Sequence, residues 1–361
     1  MGPVREVTAS YRVLVVGMGK RGMHHAAAFA ANSRFQLVGI ASRDQQRLAA
    51  AASKLGNVRA STDARALARE LKPEVFCFCT PPSVRLPLIE IGIEAGARLI
   101  AFEKPVAMTS AEGMAIRQTL QGARVKAVVS HQHRYGEHYK KVHAIVVSGA
   151  IGKLHRVYGT ATGWSTHMLS HLVDYTSWFN DYQPAQWATA QAAGRGKLGD
   201  SHPSPDYIAG VVHFANGVRG SYDCGAGAPD VPDVPYWWRK CRIGAQGSDG
   251  FAEVHTGGGW RAVTPDGVQS GPGTMDYNHD MPPYVQEIAD WLDDDDKPHP
   301  ARFERAYHGL EIVSALYRSA SEGGQIPLPL TAGANELDGL KRTLPDRKVL
   351  MTLSESAKEY G

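Results

Sequence analysis

The residues whose types and positions point most directly to chemistry are Lys104 and His171. Lys104 is the centre of Glu103-Lys104-Pro105, which follows an apolar, strand-like run at residues 98–102. A lysine at the carboxyl end of a parallel strand lies where open α/β sheets bind their ligands. The proline restricts the backbone of the residue before it, so that the lysine side chain can be aimed. The sequence therefore indicates a functional cation at this position.

His171 shares a segment with His167 and Asp174, and on a helix this i, i+4, i+7 spacing places all three side chains on one face. Three interpretations compete. His171 can act as a general acid and base, since an imidazole titrates near neutral pH. The trio can instead bind a divalent metal, because two histidines at i, i+4 can share a zinc ion. It can also be a packed polar cluster. The sequence favours the acid–base role.

A glycine-rich turn, Gly17-Met18-Gly19-Lys20-Arg21-Gly22, follows the apolar run 12–16 and precedes an alanine-rich helical stretch at 24–31. The three glycines have the spacing of a dinucleotide-binding turn, which brings a pyrophosphate to the N-terminus of a helix. Gly17, Gly19, Lys20, Arg21 and Gly22 are therefore predicted to bind a cofactor. The histidines that follow, at 24 and 25, are predicted to be packing residues.

Cofactor choice depends on the end of the second strand, residues 35–40, which leads into Ser42-Arg43-Asp44. An NAD-specific fold usually places a carboxylate here to bind the ribose 2′-hydroxyl. Ser42 has none, and Arg43 could pair with a 2′-phosphate, which favours NADP over NAD. The alternative is that Arg43 stacks on the adenine of either cofactor and Asp44 caps the next helix. Thr80 and Pro81, after the strand 75–79, are predicted to lie at the cofactor edge.

Composition restricts the class of protein. The 361 residues carry a formal net charge of +3 and 43% hydrophobic residues, which gives no reason to expect nucleic acid or a membrane surface as a partner. No apolar run is long enough for a signal peptide core or a bilayer span, so a cytoplasmic protein is expected. The four cysteines are too few for a disulfide scaffold, and Cys77 and Cys79 are predicted to be small fillers in a buried strand.

Alternation of strands and helices up to residue 130 predicts a doubly covered parallel sheet, an α/β Rossmann dinucleotide-binding domain over residues 1–130. Residues 131–330 have a different texture and predict an α+β domain for substrate binding and oligomerisation, with 331–361 as a C-terminal extension. In this half, 139–147 and 306–321 are predicted helices, and 153–161 and 207–222 are predicted strands. The acidic run 293–296 is predicted to be a solvated helix end.

Taken together, these motifs resemble the family of glucose–fructose oxidoreductase, inositol dehydrogenase and the rhizopine catabolism proteins (Gfo/Idh/MocA). The resemblance extends from Arg12 to about Leu330. Its markers are the glycine turn with His25, Thr80-Pro81-Pro82, Glu103-Lys104-Pro105, Gln132-x-Arg134-Tyr135, residues 148–152, His171-x-x-Asp174, and Ala320-Ser321 to Pro327.

The resemblance implies a second domain with a large, mostly antiparallel open sheet, which often forms a homodimer or homotetramer interface. It also implies hydride transfer between NAD or NADP and a hydroxyl or carbonyl carbon of a sugar, cyclitol or related polyol. Lys104 would hydrogen-bond the reacting oxygen, and His171 would be the acid–base residue. Many relatives have an aspartate four residues before that histidine, where this chain has His167. This departure indicates another substrate class, another proton route or a metal.

Further residues are predicted to shape the two sites. Glu103 and Lys104 would contact the cofactor, whereas substrate contacts are expected from Arg134, Tyr135, Trp164, Asp174 and His279. The aromatic run at 236–238 is expected to be core, oligomer interface or substrate wall. Two other functions stay open: a redox-neutral enzyme that processes sugars with a tightly bound NAD, and a non-catalytic regulator that binds cofactor and sugar.

Overall fold

The computed structural model describes residues 10–56, 58–195, 198, 203–225, 228–229 and 240–345. This part of the chain forms two compact units. The first contains residues up to 103 together with 116–132 and 277–303, and the second contains 104–115, 133–276 and the residues from 304 onward. Residues 277–303 thus belong to the first unit, although they follow residue 130, where the sequence-based division falls. Two segments singled out from the sequence lie outside the described residues. They are the aromatic run 236–238 and residues 346–361 of the C-terminal extension.

The first unit is built on a six-stranded parallel sheet with the strand order β3-β2-β1-β4-β5-β6. Its strands are β1 (Tyr11–Val16), β2 (Phe35–Ala41), β3 (Arg59–Ser61), β4 (Val75–Phe78), β5 (Leu99–Glu103) and β6 (Lys126–Ser130). The middle strands read as continuous apolar runs because a parallel sheet is covered on both faces. Phe78 and Phe102 on neighbouring strands stack with centroids 5.2 Å apart. The predicted Rossmann-type sheet is confirmed.

Helices connect the strands in this unit and recur along the second. They are α1 (Lys20–Ala31), α2 (Gln45–Leu55), α3 (Ala64–Leu71), α4 (Arg85–Glu94), α5 (Ser110–Ala123), α6 (Glu137–Val147), α7 (Ser165–Phe179), α8 (Tyr277–Asp293), α9 (Phe303–Glu322) and α10 (Glu336–Thr343). Within the described residues, none of these helices has both the length and the apolarity needed to span a bilayer.

The turn between β1 and α1 is fixed by close backbone packing. Gly17 has a φ of +91°, and a Cβ at this position would lie 2.4 Å from the carbonyl oxygen of Cys79. A Cβ on Gly22 would lie 1.7 Å from the carbonyl oxygen of Gly17. Both positions therefore require glycine. Because Gly19 is the N-cap, α1 begins at Lys20, earlier than the alanine-rich stretch alone predicts.

The second unit contains a nine-stranded sheet in the order β14-β13-β12-β11-β7-β10-β9-β8-β15. The strands are β7 (Leu154–Ala161), β8 (Ala185–Ala193), β9 (Tyr207–Phe214), β10 (Arg219–Gly225), β11 (Cys241–Gly247), β12 (Phe251–His255), β13 (Gly259–Thr264), β14 (Gly267–Gly271) and β15 (Ile326–Pro327). Only β7 and β10 pair in parallel; the other neighbours pair antiparallel. The large, mostly antiparallel sheet is thus confirmed.

Helix α7 lies directly on this sheet. Gly159 of β7 permits the close approach, because a Cβ there would lie 2.8 Å from the Cβ of Leu172. The buried hydroxyls of Thr176 and Tyr222 are 2.8 Å apart, which joins the helix to β10 by a hydrogen bond. Leu169, Leu172 and the rest of the inner face of α7 are fully buried in the hydrophobic core. The sheet therefore fixes the position of every polar side chain that α7 carries.

The acidic run 293–296 does more than end a helix. The Tyr11 hydroxyl donates to Asp293 Oδ1 at 2.5 Å, and Arg34 pairs with the same carboxylate at 2.7 Å. Lys126 pairs with Asp295 at 2.5 Å. The prediction of a merely solvated helix end is therefore incomplete, since the run joins the end of α8 to β1 and β6 of the first unit.

Candidate functional site

The glycine turn of the first unit presents an open helix N-terminus. The N–H of Gly17 donates to the carbonyl of Ala41 at 2.7 Å, which fixes the turn against β2. Gly19 has no side chain to cap α1, and a Cβ there would meet a single atom within 4 Å, the Arg47 Nη1 at 3.9 Å. This combination of a rigid turn and an uncovered first helical turn is what a pyrophosphate needs.

The surroundings of the turn also suit a dinucleotide. Among the described residues, nothing hydrogen-bonds the buried Oγ1 of Thr80, whose Cγ2 lies 3.1 Å from the position of a Cβ on Gly17. A cavity beside the turn is lined by the cationic side chains of Lys20, Arg47 and Lys54. A hydroxyl donor and a group of cations are the chemistry that phosphate oxygens require, so the residues present fit the cofactor.

The end of β2 carries no carboxylate at the ribose position. Ser42 is half-buried, and its N–H donates to the carbonyl of Ser61 at 3.2 Å, while Arg43 is exposed. Asp44 accepts the N–H of Arg47 at 3.0 Å and pairs with its guanidinium at 3.2 Å. Asp44 thus caps α2, which is part of the alternative interpretation of this segment. Its carboxylate is therefore engaged at the N-terminus of α2.

Arg21 and Glu103, both predicted to contact the cofactor, have partners within the first unit. The Arg21 guanidinium lies 3.8 Å from the ring centroid of Tyr277, which also stacks on His24 at 4.8 Å. Glu103 Oε1 is 3.1 Å from His25 Nε2. The Glu103 carboxylate therefore positions a buried histidine, and its contact with the cofactor stays a prediction. His24 thus packs against Tyr277, and His25 is buried beside Glu103.

Lys104 is held by the main chain of α7. Its Nζ donates to the carbonyl oxygen of His167 at 3.0 Å, and both residues belong to the second unit. Trp164, the N-cap of α7, accepts the N–H of His167 at 3.0 Å and so sets where the helix begins. The acceptor of the Lys104 ammonium group is thus the backbone carbonyl of residue 167. The lysine is therefore anchored by an acceptor that does not depend on the side chain at that position.

His171 lies one helical turn after His167 and is fixed by aromatic rings. Its ring stacks on Tyr175 with centroids 5.8 Å apart at 14°, and the ring of His133 lies 5.7 Å away. Tyr175 Oη accepts the backbone N–H of His133 at 3.2 Å, which ties the two rings together. His133 and Tyr175 were not found from sequence, although Tyr175 stands four residues after His171 and so shares its helix face.

Asp174 and Arg134, both predicted to contact the substrate, form a buried ion pair with each other. Arg134 Nη2 donates to Asp174 Oδ2 at 2.6 Å, and the two side chains are only 3% and 4% exposed. Trp178 lies beside the guanidinium, 5.4 Å from ring centroid to Cζ. The pair joins α7 to the turn Gln132–Tyr135 and so helps to hold the helix in place.

The other predicted residues occupy different places. Tyr135 is 7% exposed in the short turn Gln132–Tyr135, and the half-buried Trp164 lies 5.8 Å from the His167 ring. His279 is exposed in the first turn of α8, in the first unit. The ligand atoms of His167, His171 and Asp174, all described residues, do not lie close enough together to hold one metal ion. The geometry thus argues against the metal interpretation of α7.

Comparison with known proteins shows similarity over much of the chain. Residues 11–131 match the model of an oxidoreductase family with an NAD-binding Rossmann fold. Inositol 2-dehydrogenase of Rhizobium meliloti is 26% identical over 210 residues, which are 58% of this chain and 62% of that protein. A Sphingobium enzyme, 4-carboxy-2-hydroxymuconate-6-semialdehyde dehydrogenase, is 24% identical over 53% of this chain and 64% of its own length. The chain thus spans less than two thirds of these two relatives.

The fold is also that of a solved oxidoreductase. The structure of the Agrobacterium radiobacter protein, determined with NAD⁺, L-tartaric acid and magnesium, superposes with a TM-score of 0.73 at 17% identity. The match covers 88% of this chain and 98% of the other. Together with the parallel sheet of the first unit, these similarities show an NAD-binding Rossmann fold at residues 11–131 that matches the model of the Gfo/Idh/MocA oxidoreductase family.

Proposed function

We propose that this protein is an NAD(P)-dependent dehydrogenase that acts on a CH–OH group of a sugar, cyclitol or related polyol. The observation that carries the proposal is the hydrogen bond from Lys104 Nζ to the carbonyl of His167. It places the ammonium group at the beginning of the helix that also carries His171. A cation and an imidazole held by one rigid element are the two groups that alcohol oxidation requires.

When bound, NAD or NADP supplies the carbon that accepts a hydride from the carbinol carbon. The protein deals with the other products of the same step. Lys104 stabilises the negative charge that develops on the substrate oxygen, since a preorganised cation acts most strongly on charge that appears in the transition state. His171 accepts the hydroxyl proton on a ring nitrogen and later releases it to solvent. In the reverse direction, His171 returns this proton to the oxygen.

The aromatic neighbours of His171 support this role. Stacking on Tyr175 and the nearby ring of His133 restrict the imidazole to one plane, so that a substrate hydroxyl meets a ring nitrogen in a fixed direction. Trp164 and His167, half-buried at the start of α7, have the exposure and chemistry of groups that pack against a polyol. The buried ion pair of Arg134 and Asp174 keeps the helix in place.

NADP is the cofactor that we favour. Ser42 removes the carboxylate that would repel a 2′-phosphate, and the exposed Arg43 can pair with it. The carboxylate of the adjacent Asp44 is partly neutralised by Arg47. Lys20, Arg47 and Lys54 line the cavity beside the turn and add positive charge. A redox-neutral reaction has no structural feature in its favour here, since the main-chain anchor of Lys104 is independent of the His167 side chain.

The dinucleotide site is tested by a Gly19→Ala variant. A Cβ at residue 19 has room in the protein but occupies the space through which a pyrophosphate approaches the backbone. We expect at least about ten-fold weaker cofactor binding by fluorescence titration, a cost of roughly 1.4 kcal/mol, with an unchanged Tm. Gly122→Ala, which meets nothing within 4 Å, is the matched control and should bind normally. Equal affinities for both variants would exclude the turn as the cofactor site.

Cofactor preference is tested by a Ser42→Asp variant. The wild-type protein is expected to bind NADPH more tightly than NADH. The new carboxylate would repel the 2′-phosphate and accept the ribose hydroxyl of NADH, so the preference should reverse. Ser53→Asp adds the same charge to the exposed face of α2 and should leave the preference as it is. Isothermal titration with both reduced cofactors decides the matter, and equal wild-type affinities would contradict the NADP assignment.

Lys104 is tested by a Lys104→Ala variant assayed against a panel of sugars and cyclitols. Loss of one preorganised charge is expected to lower kcat by about 10²-fold or more while cofactor affinity stays nearly constant. Lys140→Ala removes an exposed lysine of the same unit and serves as the control. Production of reduced nicotinamide is followed directly, so a redox-neutral enzyme would show product without it. A Lys104→Ala variant with most of the wild-type kcat would remove the lysine from the mechanism.

The two histidines of α7 are expected to differ sharply. His171→Ala should lower kcat by about 10²-fold or more, because it removes the proton acceptor. His167→Ala should retain kcat within about ten-fold, since the carbonyl that holds Lys104 remains, although KM is expected to rise. Steady-state kinetics on both variants, with circular dichroism as a check on folding, provide the comparison. A larger loss of kcat at residue 167 than at 171 would reverse the assignment of the acid–base residue.

A further inference from the structure

A group of nitrogen and sulfur ligands lies in the first unit, at the carboxyl end of β4. His25 on α1 is 1% exposed, Cys77 on β4 is fully buried, and Cys79 follows β4 in a half-buried position. One ligand atom from each lies within 4.8 Å of the other two. Among the residues that the structure describes, no other three histidine, cysteine or acidic side chains bring their ligand atoms this close together. The proposed dehydrogenase reaction uses none of the three.

The spacing suits a tetrahedral metal ion. Zinc binds histidine nitrogen at about 2.0–2.1 Å and thiolate sulfur at about 2.3 Å, so two such ligands at a tetrahedral angle are about 3.6 Å apart. The Nδ1 of His25 is 3.6 Å from the Sγ of Cys77. Cys77 and Cys79 are two residues apart along an extended chain, which directs both thiols to the same side of the sheet. The ligands thus converge without rearrangement of the backbone.

The second nitrogen of His25 is held in the way that metal-bound histidines usually are. Its Nε2 lies 3.1 Å from Glu103 Oε1, so the carboxylate accepts the Nε2 proton and leaves Nδ1 directed toward the sulfur atoms. A carboxylate that fixes the outer nitrogen of a histidine in this way orients the ring and raises its basicity as a ligand. Tyr284 packs edge-on against the same ring at 5.7 Å and limits its rotation.

We propose that His25, Cys77 and Cys79 form a binding site for Zn²⁺, with solvent as the fourth ligand through the partly exposed side of Cys79. Both S–H bonds break and two sulfur–metal bonds form, and the thiol protons pass to solvent. Two thiolates and one imidazole are a soft ligand set that selects zinc over magnesium or calcium. No oxidation or reduction is involved.

Occupancy of this site would act on the glycine turn. The N–H of Cys79 donates to the carbonyl of Val16 at 2.8 Å, and its carbonyl oxygen is the atom that a Cβ on Gly17 would strike. A metal that fixes the Cys79 side chain therefore stiffens the strand end on which Gly17 rests. The existence of this site does not depend on the proposed dehydrogenase activity.

The test is a titration of the full-length, reduced and chelator-treated protein with Co²⁺, which reports thiolate ligation through an ultraviolet charge-transfer band and tetrahedral geometry through intense visible bands. We expect one equivalent of cobalt per chain, displaced by an equivalent of Zn²⁺. A wild-type titration with no stoichiometric binding, or with a spectrum that lacks the thiolate band, would overturn the proposal. This arm needs no variant and is independent of activity.

Variants then locate the site. Cys77→Ser and Cys79→Ser should each weaken the charge-transfer band and the cobalt affinity, and Glu103→Gln should lower affinity by about 10–100-fold while the stoichiometry stays at one. Cys224→Ser, a buried cysteine of the second unit, is the matched control and should bind as the wild type does. If the band survives both Cys77→Ser and Cys79→Ser but is lost in Cys224→Ser, the site is elsewhere and the assignment is wrong.

Discussion

The first unit depends on a steric constraint, the absence of side chains at Gly17 and Gly22. A methyl group on Gly17 would overlap the carbonyl oxygen of Cys79, and one on Gly22 would overlap the carbonyl oxygen of Gly17. This crowding fixes the direction in which the helix leaves the strand. It also places Thr80 and Cys79, which follow the neighbouring strand, against the same turn. The glycine turn and the residues that follow β4 are therefore packed against each other.

In the second unit, a glycine likewise allows a helix to pack closely on a strand. Gly159 lets α7 settle on β7, and the buried ion pair between Arg134 and Asp174 supports the helix from the side. Such a pair contributes little net stability, because the desolvation of both charges offsets their attraction, but it permits few alternative arrangements. A helix held in this way gives Lys104 a fixed acceptor and His171 a fixed ring plane. Precision in the site thus comes from the sheet beneath it.

Much of this arrangement could be predicted from sequence, because the features concerned are local. The glycine turn, the strand before Lys104 and the shared helix face of His167 and His171 follow from spacing within a few residues. Partners distant in sequence could not be predicted. Asp174 pairs with Arg134, 40 residues away, and Asp293 binds Tyr11, 282 residues away. Charge and spacing identify such a residue as a candidate for pairing but do not specify its partner.

The proposed zinc ligands Cys77 and Cys79 also show that partners distant in sequence cannot be predicted from a local pattern. Cys77 is buried in β4, which agrees with its interpretation as an apolar filler, whereas Cys79 follows the strand and is half-buried. What the strand pattern lacks is the third side chain, His25, which comes from the helix after the glycine turn. The helix that carries His25 follows β1, and the two cysteines lie on and just after β4. These side chains come together because β1 and β4 are neighbours in the sheet.

The backbone acceptor of Lys104 has a consequence for the history of the family. A main-chain carbonyl is retained under any amino-acid replacement, so residue 167 can change in the course of evolution without loss of the lysine's orientation. The chain can therefore separate two properties that would otherwise be inherited together, the placement of a reactive cation and the chemistry of the wall beside it. A replacement at residue 167 would thus change the wall beside the lysine and leave the acceptor of its ammonium group in place.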